Sequence, residues 1–173
     1  DKVSTRLKRL GQTDSVKAML KKVGVSKQGK AALPSSADLR EWCSPIEDQD
    51  GLGSCTAHAG TGIVEYFERR AFGKHTDASR LFLYKVTRNL LNWTGDTGAF
   101  LRSTMEAMVL FGVPPEEYWN YDVADFDKEP TAFLYAFAQS YQAISYYRFD
   151  PPFTPKDTLL SEIKKSLAGG LPS

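Results

Sequence analysis

The chain has 173 residues, 42% of them hydrophobic, with ten Phe, eight Tyr and three Trp, so it can bury a core as one large domain or two small ones. Its 22 Lys and Arg against 21 Asp and Glu leave a formal charge of +1, and no global field draws it to nucleic acid or a membrane surface. No apolar run reaches the roughly 18 residues of a membrane helix, and two cysteines are too few for a disulfide framework or a structural zinc site of about four ligands. No membrane, metal or cofactor partner is therefore expected.

Residues 1–32 differ from the rest. Lys2, Arg6, Lys8, Arg9, Lys17, Lys21, Lys22, Lys27 and Lys30 face only Asp1 and Asp14. Val16, Met19, Leu20 and Val23 fall at i, i+3, i+4 and i+7, the spacing of an amphipathic helix, with Thr13 or Asp14 to cap it and Gly24 to end it. Three readings stay open: a basic tail with one docked helix, a detachable inhibitory segment, or a nucleic-acid patch. The last is disfavoured, because no aromatic residue interleaves with these charges to stack on bases. A start at Asp1 with no apolar leader is expected of a chain that has been trimmed.

Residues 32–50 read as extended chain and turns, since Pro34 and Pro45 forbid a long helix. A helix is predicted from Ser54 or Cys55 to about Ala71, stopped at Gly73. Its apolar face carries Ile63, Tyr66 and Phe67, while Ala57, Ala59, Gly60 and Gly62 keep its first turns slim. Residues 79–92 and 99–111 are predicted as two further helices, the latter ended by Gly112 and Pro114, and 114–121 as a turn with aromatic anchors. From about Tyr141 the β-branched and aromatic content of "YQAISYYRF" predicts a strand, and residues 156–170 a short amphipathic helix.

The stretch "DQDGLGSCTAHA" carries the chemistry, because it places Cys55 where a glycine-rich loop enters a helix. A thiol becomes a nucleophile when its thiolate is stabilised, and a helix N-terminus offers about half a positive charge and unpaired N–H groups. Gly51 and Gly53 leave the sulfur accessible. Acyl transfer also needs donors aimed at the developing oxyanion, and the Cys55 N–H with the Gln49 side-chain amide, six residues earlier, supplies two. Cys43 has no such setting. His58 lies at i+3 from Cys55 on one helix face, but its side chain leans toward the helix N-terminus, and a structural role is favoured over that of catalytic base. His75 reads as a loop residue.

"QDGLGSCTA" (49–57) resembles the nucleophile motif of the papain-like cysteine peptidases. "LPSSADLRE" (33–41) resembles the start of their mature chains, and "DTGAFLRSTMEAMVLFGVPPEEYWNY" (96–121) is similar to their run of substrate-binding glycine, helix and aromatic turn. "SRLFLYKVTRN" and Thr56 look most like the bacterial branch.

The resemblance covers roughly residues 33–173 and implies an α+β, papain-like two-domain fold. A helical domain (33–140) would carry the nucleophile, a β-rich domain would only begin at 141–173, and residues 1–32 would be a prosegment lying in the cleft. It implies Cys55 as nucleophile, Gln49 as oxyanion donor, and Thr97 with Gly98 as the backbone that pairs with a peptide or protein substrate. The implied His and Asn lie about 130–150 residues after the cysteine, beyond Ser173.

The departures are Thr56 where a Trp is usual, Leu52 where a disulfide cysteine is common, and Thr97-Gly98 in place of Gly-Gly. The function expected is that of a cysteine endopeptidase working through a thioester and held as a zymogen. The alternatives are a non-catalytic papain-like scaffold that binds a peptide, and an adaptor acting through its basic tail. The compartment stays open, a secreted or periplasmic one being favoured.

Overall fold

The computed structural model describes residues 33–144, 146, 149 and 152–172. The amphipathic helix expected at 13–24 lies outside the described residues. The chain divides into two compact units, Ser44–Tyr146 and a second made of Asp1–Cys43 with Tyr147–Ser173.

In the first unit, three helices pack pairwise on one another: α1 (Cys55–Phe72), α2 (Arg80–Leu91) and α3 (Leu101–Leu110). α1 ends as its sequence dictates, with Gly73 in the left-handed region at φ 69° and its amide returned to Arg69 O at 2.9 Å. α2 starts at Ser79, whose hydroxyl accepts from Phe82 N, and closes at Asn92 with φ 57°. A short helix α4 (Ala132–Ala138) follows, capped by the Thr131 hydroxyl. Sequence patterning over 122–140 left this helix unread. The second unit holds a 3-10 turn at Arg40–Trp42 and helix α5 (Lys156–Ala168).

α2 is the centre of the first unit. Every residue from Arg80 to Arg88 is buried, so the helix is covered all round rather than along one apolar face. Leu81, Phe82, Leu83, Tyr84 and Val86 form the middle of a core that also takes Leu52, Ala57, Ala107, Met108, Val113 and Leu134. Its three buried cations are matched by carboxylates from the surrounding loops. Arg80 pairs with Glu47 and Glu116, Lys85 with Asp127 at 3.0 Å, and Arg88 with Asp127 at 2.9 Å.

The crossing of α1 over α2 and α3 explains one small residue and not another. A Cβ on Gly60 would lie 2.9 Å from Leu83 Cδ2, 3.1 Å from Met108 Sδ and 3.2 Å from Thr104 Cγ2, whereas one on Gly62 meets nothing within 4 Å. Ala57 is fully buried and Ala59 is exposed, so the slim face is Ala57 and Gly60 alone. Gly62→Ala is accordingly expected to stabilise the protein by about 0.5–1 kcal/mol through helix propensity. Gly60→Ala is expected to destabilise it. Urea midpoints that move the same way for both would contradict this packing.

No strand occurs among the described residues. Where one was expected, Tyr141 closes a 3-10 turn and Gln142 is extended, at φ −72° and ψ 135°. The backbone partners of this stretch lie around the end of α3 rather than in a neighbouring strand. Ala143 N donates to Met108 O at 3.0 Å, and Val113 N donates to Tyr141 O at 3.3 Å. Extended chain whose hydrogen bonds go to a helix terminus builds no ladder. Residues 145, 147, 148, 150 and 151 lie outside the described set.

Candidate active site

Cys55 is the first residue of α1, and its thiol is exposed; Cys43 is exposed as well. Ser54 occupies the N-cap but does not cap with its side chain, so no hydroxyl covers the first amides of the helix. The loop before it is tight. Leu52 N donates to Gln49 O at 3.4 Å, Ser54 N to Leu52 O at 2.8 Å, and Asp50 sits at φ 52°. Leu52 is 3% exposed and joins the core, so apolar burial anchors the position where the sequence departs from a common disulfide cysteine. The Gln49 Nε2 donates to Leu52 O at 2.8 Å, which uses one of its two N–H groups and leaves the other.

A second loop meets this one. The Asp96 carboxylate accepts from Gly53 N at 3.0 and 3.1 Å and from the Tyr84 hydroxyl at 2.5 Å, and the Tyr84 oxygen accepts from Gly98 N at 3.0 Å. Gly53 and Gly98 are therefore neighbours. A Cβ on Gly53 would stand 2.9 Å from Asp96 Oδ1 and 3.4 Å from Gly98 N. Gly98 has the opposite reason for being glycine. The space at its Cβ is ordinary, 3.8 Å from Gly53 O, but its φ is +72°. Thr97 is exposed, and its hydroxyl donates to Gly98 O at 3.3 Å. Burial, aided by the bond to Asp96, pushes the Tyr84 phenol up to about 12, so it stays a donor across the physiological range.

The loop carrying Thr97 and Gly98 is fixed from behind by α2. The Arg88 guanidinium donates to Gly95 O at 2.5 Å, to Asp127 Oδ1 at 2.9 Å and to Phe126 O, and lies 4.2 Å from the centre of the Tyr84 ring. Asp127 in turn accepts from Gly95 N at 3.1 Å. That backbone bond, with Lys85 beside it, holds the Asp127 carboxyl below the usual carboxylate range.

The His58 ring bonds Ser54 and not the thiol. Its Nδ1 lies 3.1 Å from Ser54 O, a pure acceptor, so Nδ1 carries the proton, and the ring meets Tyr121 edge-on at 5.1 Å. Its Nε2 is buried without a hydrogen-bond partner, as is the Thr56 hydroxyl. His75 bonds Asp77 at 2.7 Å in an exposed loop. Among the described residues there is no group of three or more His, Cys, Asp or Glu able to hold a metal ion. The structure thus joins the Cys55 loop to the Thr97–Gly98 loop and assigns neither histidine to the sulfur.

Sequence reasoning missed Asp96, Tyr84 and Tyr121, the residues that tie these loops together. The available signal was their place in stretches already singled out: Asp96 and Tyr121 begin and end the stretch 96–121, and Tyr84 lies within 79–89.

The comparisons with known proteins lead to the same chemistry. The chain is 35% identical over 131 residues to an uncharacterized peptidase C1-like protein of Acanthamoeba polyphaga mimivirus, covering 72% of this chain and 41% of that one. It is 43% identical over 68 residues to thiol protease aleurain of Arabidopsis thaliana, covering 38% of this chain and 18% of that one. Among solved structures, xylellain, a cysteine protease from Xylella fastidiosa, superposes with a TM-score of 0.66 at 29% identity, over 79% of this chain and 54% of that one. Its homologues and structural neighbours are papain-like cysteine peptidases. Procathepsin L 3 of the Tenebrio molitor larval midgut shares the fold, with a TM-score of 0.59 at 21% identity over 85% of this chain and 49% of that one. No family model matches the chain. The chain spans less than half the length of the curated papain-like relatives it matches. Its described residues are helical, without the strands of a β-rich domain.

Proposed function

We propose that this chain is the nucleophile-bearing part of a papain-like cysteine endopeptidase. The observation that carries the reading is the exposed Cys55 thiol at the uncapped start of α1, beside a loop whose Gly98 backbone is held open at φ +72°. In this reading the Cys55 thiolate attacks the scissile carbonyl, and the new oxyanion is received by the Cys55 N–H and the free N–H of Gln49. The C–N bond then breaks, the amine leaves with a proton from a protonated base, and water hydrolyses the thioester. Thr97 and Gly98 pair through their backbone with the extended substrate.

The base and its orienting partner come from a β-rich domain that begins at residues 141–173, after the helical domain at 33–140. His58, bonded to Ser54, has no catalytic part in this reading. Residues 1–32 act as a prosegment that occludes the cleft, and the match to xylellain supports a place in the bacterial branch.

Both cysteines are exposed, so unequal reactivity reports thiolate character rather than access. In the full-length protein with residues 1–32 removed, alkylation at pH 6 with peptide mapping is expected to modify Cys55 at least about tenfold faster than Cys43, because an ordinary thiol is almost wholly protonated there. Equal rates would remove the catalytic reading and leave a scaffold that binds peptides without cutting them.

A further inference from the structure

Gln49 and Cys55 stand at the two ends of a loop, and the two donors proposed for the oxyanion work only at one separation. Within the loop, Leu52 carries the bonds that set that separation: it donates to Gln49 O and accepts from Gln49 Nε2 and Ser54 N. A second constraint comes from outside. The Tyr121 hydroxyl donates to Gln49 O at 2.9 Å and lies 2.6 Å from Ser54 Oγ, so a single oxygen bridges the backbone of Gln49 and the side chain of the residue before Cys55.

The directions of these bonds follow from proton counting. A phenol has one proton, and Gln49 O can only accept, so that proton goes to Gln49. Ser54 Oγ must then donate to the Tyr121 oxygen. The Ser54 hydroxyl is thereby aimed at Tyr121, and it makes no cap bond to the first turn of α1. His58 Nδ1, 3.3 Å from Ser54 Oγ and 3.1 Å from Ser54 O, also holds this residue.

The tyrosine is itself fixed. Arg80 lies 4.9 Å from the centre of its ring, and the Tyr121 amide donates to Glu116 Oε1 at 3.4 Å. Arg80 in turn forks onto Glu116 at 2.9 and 2.5 Å and pairs with Glu47, two residues before Gln49. Burial pushes the Tyr121 phenol up, so the bridging proton is retained across the working range.

Resting on the peptidase reading above, we propose that Tyr121 is the positioning residue of the oxyanion site, its hydroxyl setting the distance between the Gln49 amide and the Cys55 N–H. Tyr121→Phe removes the bridge and keeps the ring under Arg80 and beside His58. In the full-length protein it should lower kcat on a peptide substrate by about 10- to 100-fold with KM within about twofold, since a donor displaced by an ångström loses most of its value.

A peptide aldehyde gives the readout that a merely structural role would not move. The Cys55 sulfur bonds to its carbonyl carbon and the oxygen occupies the oxyanion position, so its inhibition constant should rise by the same factor as kcat falls. The rate of Cys55 alkylation by iodoacetamide, which uses no oxyanion, should stay within about twofold. Unchanged kcat and aldehyde affinity would overturn the proposal, and so would a parallel loss of alkylation rate. Should Tyr121→Phe not fold, Ser54→Ala cuts the same chain one link nearer the sulfur; the same pattern with a smaller loss supports the role, and no loss overturns it. A wild-type protein that alkylates quickly at Cys55 yet hydrolyses nothing removes the peptidase reading, and this inference falls with it.

Discussion

Cys55→Ala in the full-length protein should reduce peptide hydrolysis by about 10⁴-fold or more, the loss typical of removing a covalent nucleophile. The same substitution should leave the fold untouched. The Cys55 side chain is exposed at the first position of α1 and belongs to none of the core packing, and Ala is the best helix former. Its effect on stability is therefore expected within about 0.5 kcal/mol, measured as an unchanged urea midpoint.

The separation of the two readouts decides between the enzyme and scaffold readings. An enzyme loses turnover and keeps peptide affinity in the variant, because Thr97, Gly98 and the Gly53 loop are held by Asp96 and Tyr84 rather than by the sulfur. A scaffold shows the same affinity in both proteins and no turnover in either. Residual hydrolysis at the wild-type rate would identify a different nucleophile and remove Cys55 from the chemistry altogether.

The features legible in the sequence are those encoded over a few residues. The start of α1 at Cys55, its stop at Gly73, and the spans of α2 and α3 follow from apolar spacing, caps and breakers, and each falls within about two residues of its expected end. The Cys55 loop is legible only as a glycine-rich entry to a helix, since its left-handed residue is Asp50 and not a glycine. What fails to show is anything set by distant pairing. Arg80, Lys85 and Arg88 carry no sign of burial in the sequence, and they are buried because Glu47, Glu116 and Asp127 come to them from far along the chain. Asp96 reaches Gly53 across 43 positions, and Tyr121 reaches Gln49 across 72. No strand forms among the described residues from Tyr141 onward, because β propensity names a residue's liking for extended chain and not its partner. Gly60 and Gly62 look alike in sequence; only the approach of Leu83 and Met108 tells them apart.

Gly112 shows both kinds of information in one residue. Its place after α3 and before Pro114 marks it as a helix stop, and its φ of +81° agrees. The sequence is silent on the second constraint. A Cβ there would lie 1.8 Å from Ala138 O, 2.8 Å from Ala138 C and 3.1 Å from Gln142 N, all backbone atoms that no rotamer change can move aside. To admit alanine, the end of α4 and the stretch after it must separate from α3, breaking the bonds from Ala143 N to Met108 O and from Gln142 Nε2 to Leu110 O at 2.7 Å. Backbone strain of about 1–3 kcal/mol and overpacking of similar size put the expected loss for Gly112→Ala at about 4 kcal/mol, a large fraction of the stability of an ordinary domain.

Asparagine separates the two causes. It tolerates the left-handed region, as Asn92 does at the end of α2 with φ 57°, but it carries the same Cβ. Gly112→Asn should therefore be nearly as damaging as alanine. At Gly73, where φ is +69° and nothing lies within 4 Å of the Cβ position, asparagine should be almost neutral and alanine should cost about 1 kcal/mol. A Gly112→Asn protein with a near wild-type urea midpoint would mean that conformation alone, and not the close approach of α4, selects glycine at the end of α3.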